Sequence, residues 1–147
     1  MAYDSRKDKQ LSTKNPYYLP DAAFRNAFYF ALRYHEFVDR LETLGDGARG
    51  ISYDSQPHGD SKGTALEDLA IKRAKISARI DLIVSSCVEA DRELAPWLFK
   101  AVTNRNIGYE YLDQIGVDGK QIPCGSSKYY NRRRKFYYIL AQKLDEQ

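Results

Sequence analysis

Hydrophobic side chains recur at intervals of three and four residues along most of the chain, and this periodicity predicts an all-α fold. From Asp21 to about Leu44 no proline or glycine interrupts the pattern, and Phe24, Phe28, Ala31, His35, Val38 and Leu41 fall on one stripe. Asp21 stands where a helix cap belongs and Gly45 where a helix ends, so the spacing predicts one long helix between them. Tyr29, Phe30, Tyr34 and Phe37 widen its apolar surface, which calls for more than one packing neighbour. His35 reads as a packing residue of that stripe, because nothing near it completes a metal or acid/base site. Ahead of this helix, positions 1–19 are a polar tail ending in Asn15-Pro16-Tyr17-Tyr18-Leu19-Pro20, whose prolines disfavour helix just before them.

Gly45 to Thr64 holds five glycines, one proline and several Ser and Asp, and reads as a flexible connection containing His58. A second long helix follows from Ala65 to about Ala90, with Leu69, Ile76, Ile80, Ile83 and Cys87 on one seam and Lys72, Arg73, Lys75 and Arg79 toward the other side. Residues 20–90 are therefore expected to form a two-helix scaffold. Its seam can pair with the first helix or with a second copy of the chain. Beyond Asp91 the pieces shorten. Glu93 to Asn104 carries Pro96 in its first turn and a buried face of Trp97, Leu98, Ala101 and Val102. After a break from Asn104 to Gly108, Tyr109 to Ile115 makes one or two turns closed by Gly116. Val117 to Gly125 is a connector, and a final helix capped by Ser126 or Ser127 runs to about Asp145.

Composition narrows the function classes. A length of 147 residues with 43% hydrophobic positions fits one ordinary domain or a small helical pair. No stretch approaches a membrane span, and Met1 to Gln10 lacks an apolar signal region, so a cytoplasmic protein is expected. Cys87 and Cys124 form neither a CxxC pair nor a Cys/His cluster, and no GxSxG, HExxH or phosphate-loop pattern occurs. The expectation is a protein with reduced thiols, no metal, no cofactor and no catalytic activity. Cys87 on its seam and Cys124 in its turn read as packing residues.

Charge is unevenly spread. The net value is +3, yet Gly119 to Leu144 holds seven basic residues and no acid, leaving the rest of the chain net acidic. Such a distribution suits one end that meets a polyanion. Within the last helix, Lys128, Asn131, Arg132 and Lys135 follow the i, i+3, i+4, i+7 rule and share one face. Tyr130, Tyr137, Leu140, Ala141 and Leu144 fall opposite, with Tyr129 and Phe136 at the edge of that apolar side. A short helix, a turn and an amphipathic helix with polar, basic first turns follow helix-turn-helix logic. Lys and Arg neutralise phosphates, Asn and Arg pair with base edges, and Ser126 and Ser127 at the positive helix end can hold a phosphate. The candidate DNA-contacting residues are thus Ser126, Ser127, Lys128, Asn131, Arg132, Arg134 and Lys135. We place nucleic-acid contact ahead of a merely solvated charge run because no acid follows in the helix until Asp145. Arg133 points partly toward the apolar side and is expected to snorkel or pair with an acid elsewhere.

Leu112-Asp113-Gln114-Ile115 followed by Ile122-Pro123-Cys124-Gly125-Ser126-Ser127-Lys128-Tyr129-Tyr130-Asn131-Arg132-Arg133-Arg134-Lys135-Phe136-Tyr137-Tyr138 resembles the C-terminus of small prophage-encoded transcriptional regulators of the ArpU and RinA type. Tyr17-Tyr18-Leu19-Pro20, the aromatic helix and the loop around Pro57-His58-Gly59-Asp60-Ser61 extend the resemblance over nearly the whole chain. It implies a DNA-binding end related to the fourth region of sigma-70-type factors, spanning residues 91–147, and control of late phage genes in the cytoplasm of a bacterial host. The partners it implies are double-stranded DNA and RNA polymerase, and the helical seam leaves a homodimer open. Two other classes stand beside this reading. One is a phage protein-interaction module that grips RNA polymerase or inhibits another host protein. The other is RNA binding, which the burial expected of the aromatics disfavours.

Overall fold

The computed structural model describes residues 14–50 and 59–146, with side chains over 14–45 and 64–146. The described residues form six helices: α1 (Asp21–Leu32), α2 (Tyr34–Gly50), α3 (Gly59–Ala90), α4 (Ala95–Val102), α5 (Tyr109–Ile115) and α6 (Ser126–Asp145). The architecture is all-α, relieved by one isolated bridge between Val117 and Lys120. None of these helices is long and apolar enough to cross a membrane. The chain divides into two units, one from residues up to Arg33 together with those from Leu82 onward, the other Tyr34–Asp81.

The first unit is organised around α6. Phe24, Ala27, Phe28 and Ala31 sit at i, i+3, i+4 and i+7 of α1 and are all buried. The Phe24 ring meets Tyr137 of α6 edge-on at 5.2 Å, and α4 and α5 pack on other sides of the same helix. From α6 itself Tyr129, Phe136, Tyr137, Leu140 and Ala141 enter the core; from α4 come Trp97, Leu98, Ala101 and Val102. Part of the expected polar tail joins this unit too. Asn15 Oδ1 accepts the Tyr17 amide at 2.8 Å, and the Tyr17 ring lies 5.9 Å from Tyr138.

Between α5 and α6 the connector is pinned at several points. Val117 and Lys120 exchange both backbone hydrogen bonds at 2.9 Å around Asp118-Gly119, whose φ values of 50° and 77° make the tight turn that Asp-Gly favours. Trp97 Nε1 donates to the Lys120 carbonyl, Lys100 Nζ to the Gly116 carbonyl and the Tyr109 hydroxyl to the Cys124 carbonyl. Gly116 ends α5 with φ 64° and ψ −175°, a conformation open to glycine alone.

In the second unit Phe37 of α2 and Ile76 of α3 are buried, and the Arg79 guanidinium lies 5.8 Å from the centre of the Phe37 ring. His35 corrects the sequence reading: it is exposed, its ring edge-on to Tyr34 at 5.3 Å, because the break at Arg33 shifts the helical phase that had put it on the stripe.

Several boundaries also differ from expectation. The first long helix is two, since the Arg33 amide bonds the Phe30 carbonyl at 3.1 Å and tightens the last turn of α1. Asp21 does not cap; it is the first helical residue after Pro20 and pairs instead with Arg25 at 3.0 Å. Gly45 does not end α2, which continues to Gly50, because a glycine stops a helix only where it turns left-handed and this one stays helical. The expected flexible connection is correspondingly helical over 45–50 and 59–64, and its centre with His58 lies outside the described residues. On the second seam Ile76, Ile83 and Cys87 are buried, whereas Leu69 and Ile80 are half-buried.

Candidate nucleic-acid interface

The start of α6 is set by Gly125, an extended residue at the N-cap whose carbonyl accepts the Tyr129 amide at 3.2 Å. Neither Ser126 nor Ser127 caps it, in contrast to expectation, since both are already inside the helix. They are exposed, as is Lys128, so the first turn presents two hydroxyls, a cation and the positive end of the helix dipole to solvent. Asn131, Arg132, Arg134 and Lys135 follow, each half-buried.

What holds this helix in place is largely its own buried face. Tyr130 Oη accepts the Tyr109 amide at 3.1 Å and so satisfies the first backbone donor of α5. Tyr129 is fully buried and donates through its hydroxyl to the Ile107 carbonyl at 2.7 Å. Tyr129 and Phe136, expected at the edge of the apolar side, both lie at its centre, with no exposed surface.

Arg133 is only 2% exposed. Its Nη1 donates to the carbonyls of Asn106 and Ile107 at 3.4 and 3.3 Å, and the guanidinium stacks 4.8 Å over Tyr130 and 5.4 Å over Tyr129. The Tyr137 hydroxyl meets Asn106 Oδ1 in the same layer. This network fixes the turn before α5, where Arg105 and Asn106 have φ values of 62° and 53°. The expected departure of Arg133 from the solvent face is therefore met by full burial rather than snorkelling.

The pairing with a distant acid that the sequence suggests for Arg133 is made instead by Arg132 and Lys143. Arg132 Nε donates to Asp91 Oδ2 at 3.0 Å, the two side chains being 33% and 13% exposed. Asp91 Oδ1 at the same time accepts the amides of Glu93 and Leu94 at 3.0 Å, capping the turn into α4. Burial works against the Asp91 charge, but the Leu94 amide, the Arg132 guanidinium and the nearby Lys128 ammonium outweigh it and hold its pKa below the ordinary 3.8. Farther along α6, Lys143 pairs with Glu89 and donates to Ser85 Oγ at 2.9 Å. The one sequence signal pointing to Asp91 is its position as an acid just before a proline-started helix, which marks a cap but not a partner 41 residues away.

Both cysteines are free thiols. Burial pushes the Cys87 thiol far above its ordinary value, with Lys143 opposing weakly, and burial likewise raises Cys124. Among the described residues no cluster of three His, Cys, Asp or Glu could hold a metal ion. The arrangement is a polar, cation-bearing helix start projected from a helix whose other side is locked into the unit. Comparisons with protein-family models, with curated proteins and with solved structures find no match to this chain.

Proposed function

We propose that this protein is a sequence-specific, double-stranded-DNA-binding transcriptional regulator in which α6 enters the major groove, and that it controls phage late genes as its C-terminal resemblance implies. The observation that carries the reading is the division of α6. Ser126, Ser127 and Lys128 are exposed in its first turn and Asn131, Arg132 and Lys135 follow half-buried on its outer side, while Tyr129, Arg133, Phe136 and Leu140 anchor the inner side. A helix so anchored presents its first two turns rigidly, which is what base readout requires. Lys128, Arg134 and Lys135 serve phosphates, Ser126 and Ser127 add contacts at the helix start, and Asn131 and Arg132 face base edges. No enzymatic step or cofactor enters this reading.

A specific observation also favours a protein partner. Val84 and Val88 on α3 are about two-fifths exposed and, with Ala95, Pro96 and Phe99, line an apolar groove within the first unit. RNA polymerase or a second copy of the chain would supply the affinity that a single short reading helix lacks.

The test is fluorescence anisotropy on duplexes from the promoter regions next to the encoding gene, over a range of salt. Lys128→Ala combined with Lys135→Ala should weaken binding and lower the magnitude of the log K against log salt slope by about two. A folded double variant that binds as tightly as the wild type rejects α6 as the contact helix. Binding that ignores salt altogether favours the protein-interaction reading.

A further inference from the structure

Asp91, Arg132 and Asn131 form a continuous relay. Arg132 Nε donates to Asp91 Oδ2 at 3.0 Å, and Arg132 Nη1 donates to Asn131 Oδ1 at 2.8 Å. Asp91 cannot swing away, because its other oxygen is held by two backbone amides of the turn into α4. Arg132 is therefore fixed at one end by an anchored carboxylate, and its planar fork carries that constraint to the next residue.

The consequence falls on the Asn131 carboxamide. A guanidinium has donors and no acceptor, so only the oxygen of the amide can face it, and the amide cannot flip while Arg132 is in place. One lone pair of Oδ1 is used by Arg132. The other lone pair and the Nδ2 hydrogens form an acceptor beside a donor in a set order, the complement of the N6 donor and N7 acceptor that adenine shows in the major groove.

We infer that Asn131 is an adenine-reading residue and that Asp91, acting through Arg132, is the positioning residue that sets its amide. The inference rests on the proposed DNA reading of α6 and adds the base and the mechanism of its choice. It gives Arg132 a role other than direct base contact: with Nε and Nη1 spent inside the protein, it trades part of its own reach toward DNA for discrimination by Asn131. Releasing it should raise affinity for any duplex while blurring the choice of base.

Asp91→Asn tests this in an isosteric way, since the carboxamide oxygen can keep the two backbone amides while an NH2 group replaces the oxygen that faces Arg132. Arg132→Lys is the second variant. It keeps the charge but cannot bridge Asp91 and Asn131 with a planar fork, and it leaves the α4 cap untouched. Full-length protein is first used to enrich sequences from a randomised 20-base-pair duplex library. Each base pair of the enriched duplex is then replaced in turn and affinities are measured. In the wild type, replacing one particular A·T pair by G·C should cost roughly ten-fold, and Asn131→Ala should abolish the penalty at that pair alone. Asp91→Asn should shrink that penalty to about three-fold or less, with unchanged or stronger binding of an unrelated duplex, and Arg132→Lys should shrink the penalty likewise. A purely structural role for Asp91 would lower the melting temperature but leave the base preference intact, and that result overturns the inference. So does an enriched sequence in which Asn131→Ala alters no position, or alters a G·C pair. If the wild type enriches no sequence, the DNA reading itself falls, which is a different and separately visible failure. Should Asp91→Asn fail to fold, the Arg132→Lys result decides.

Discussion

Replacing Arg133 separates the packing role of a basic residue on α6 from the DNA contact proposed for its neighbours. It is the largest of the fully buried side chains, and its head donates to two backbone carbonyls and stacks on two tyrosine rings. In Arg133→Ala the lost stem leaves a cavity comparable to a large-to-small aliphatic change, worth about 3 kcal/mol. Lost hydrogen bonds and stacking add about 2 kcal/mol, against which the variant regains roughly 1 kcal/mol of charge desolvation, for a net loss of about 4 kcal/mol. For a chain of this size the melting temperature should fall by roughly 12 °C. Arg133→Met keeps the apolar stem and should recover about half of the loss. Thermal melts by circular dichroism, with duplex binding measured well below the melting point, provide the assay. On the proposed DNA reading, both variants should bind duplex nearly as well as the wild type while they remain folded. An unchanged melting temperature together with a large drop in DNA affinity would mean that the guanidinium serves the outward face, and the burial argument would be refuted.

Three further outcomes follow from other parts of the first unit. Gly116→Ala should destabilise by about 3 kcal/mol or more, because φ is +64° and a Cβ would lie 2.6 Å from the Lys120 carbonyl oxygen; a melt within a degree of wild type would contradict it. Leu140→Asp, at a position with no exposed surface, should cost about 4 kcal/mol or more and yield little folded protein, which gel filtration and circular dichroism would show. Asp91 has a folded-state pKa below its ordinary 3.8, so it contributes stability that is present above that value and lost as pH falls through the folded value. Melting temperatures between pH 6 and pH 2 should therefore decline more steeply at the acid end for wild type than for Asp91→Asn, and parallel curves would remove Asp91 from the acid response.

How much of this was legible in the sequence depended on whether a residue type or a tertiary contact decided the point. The limits of α5 and α6 were readable because Gly116 can take a conformation closed to other residues and Gly125 precedes an unbroken helical pattern. The buried face of α4 was readable from Trp97, Leu98, Ala101 and Val102, whose spacing admits one solution. The break at Arg33 was not, since no glycine or proline marks it and a single tightened turn makes it. The persistence of α2 through Gly45 ran against a stop signal that is a tendency, worth only about 1 kcal/mol per glycine. At the candidate site, the outward set of residues followed from helical spacing, whereas the capture of Arg132 by Asp91 joins positions 41 apart and leaves no local trace.

The phase of α6 shows why counting basic residues misjudges such a helix. Tyr129, Arg133, Phe136 and Leu140 are spaced i, i+4, i+7 and i+11, a single buried stripe with Arg133 in its midst. Lys128, Asn131, Arg132 and Lys135 share another face, centred about 120° around the axis from that stripe. Within the run Arg132-Arg133-Arg134-Lys135, adjacent positions thus differ in kind: Arg132 is bound to a carboxylate at the edge of the outward face, while Arg133 is an internal cation that holds the turn before α5. The aromatic positions mark that phase: Tyr129 and Phe136 have no exposed surface, whereas Tyr130 and Tyr138 stay half-buried. Once those two rings are committed to the core, the identity of the outward residues is no longer adjustable. On the proposed DNA reading, recognition by this helix would be a by-product of its packing, and substitutions at 129 or 136 should disturb DNA binding only by tilting or unfolding the helix that carries the proposed contact residues.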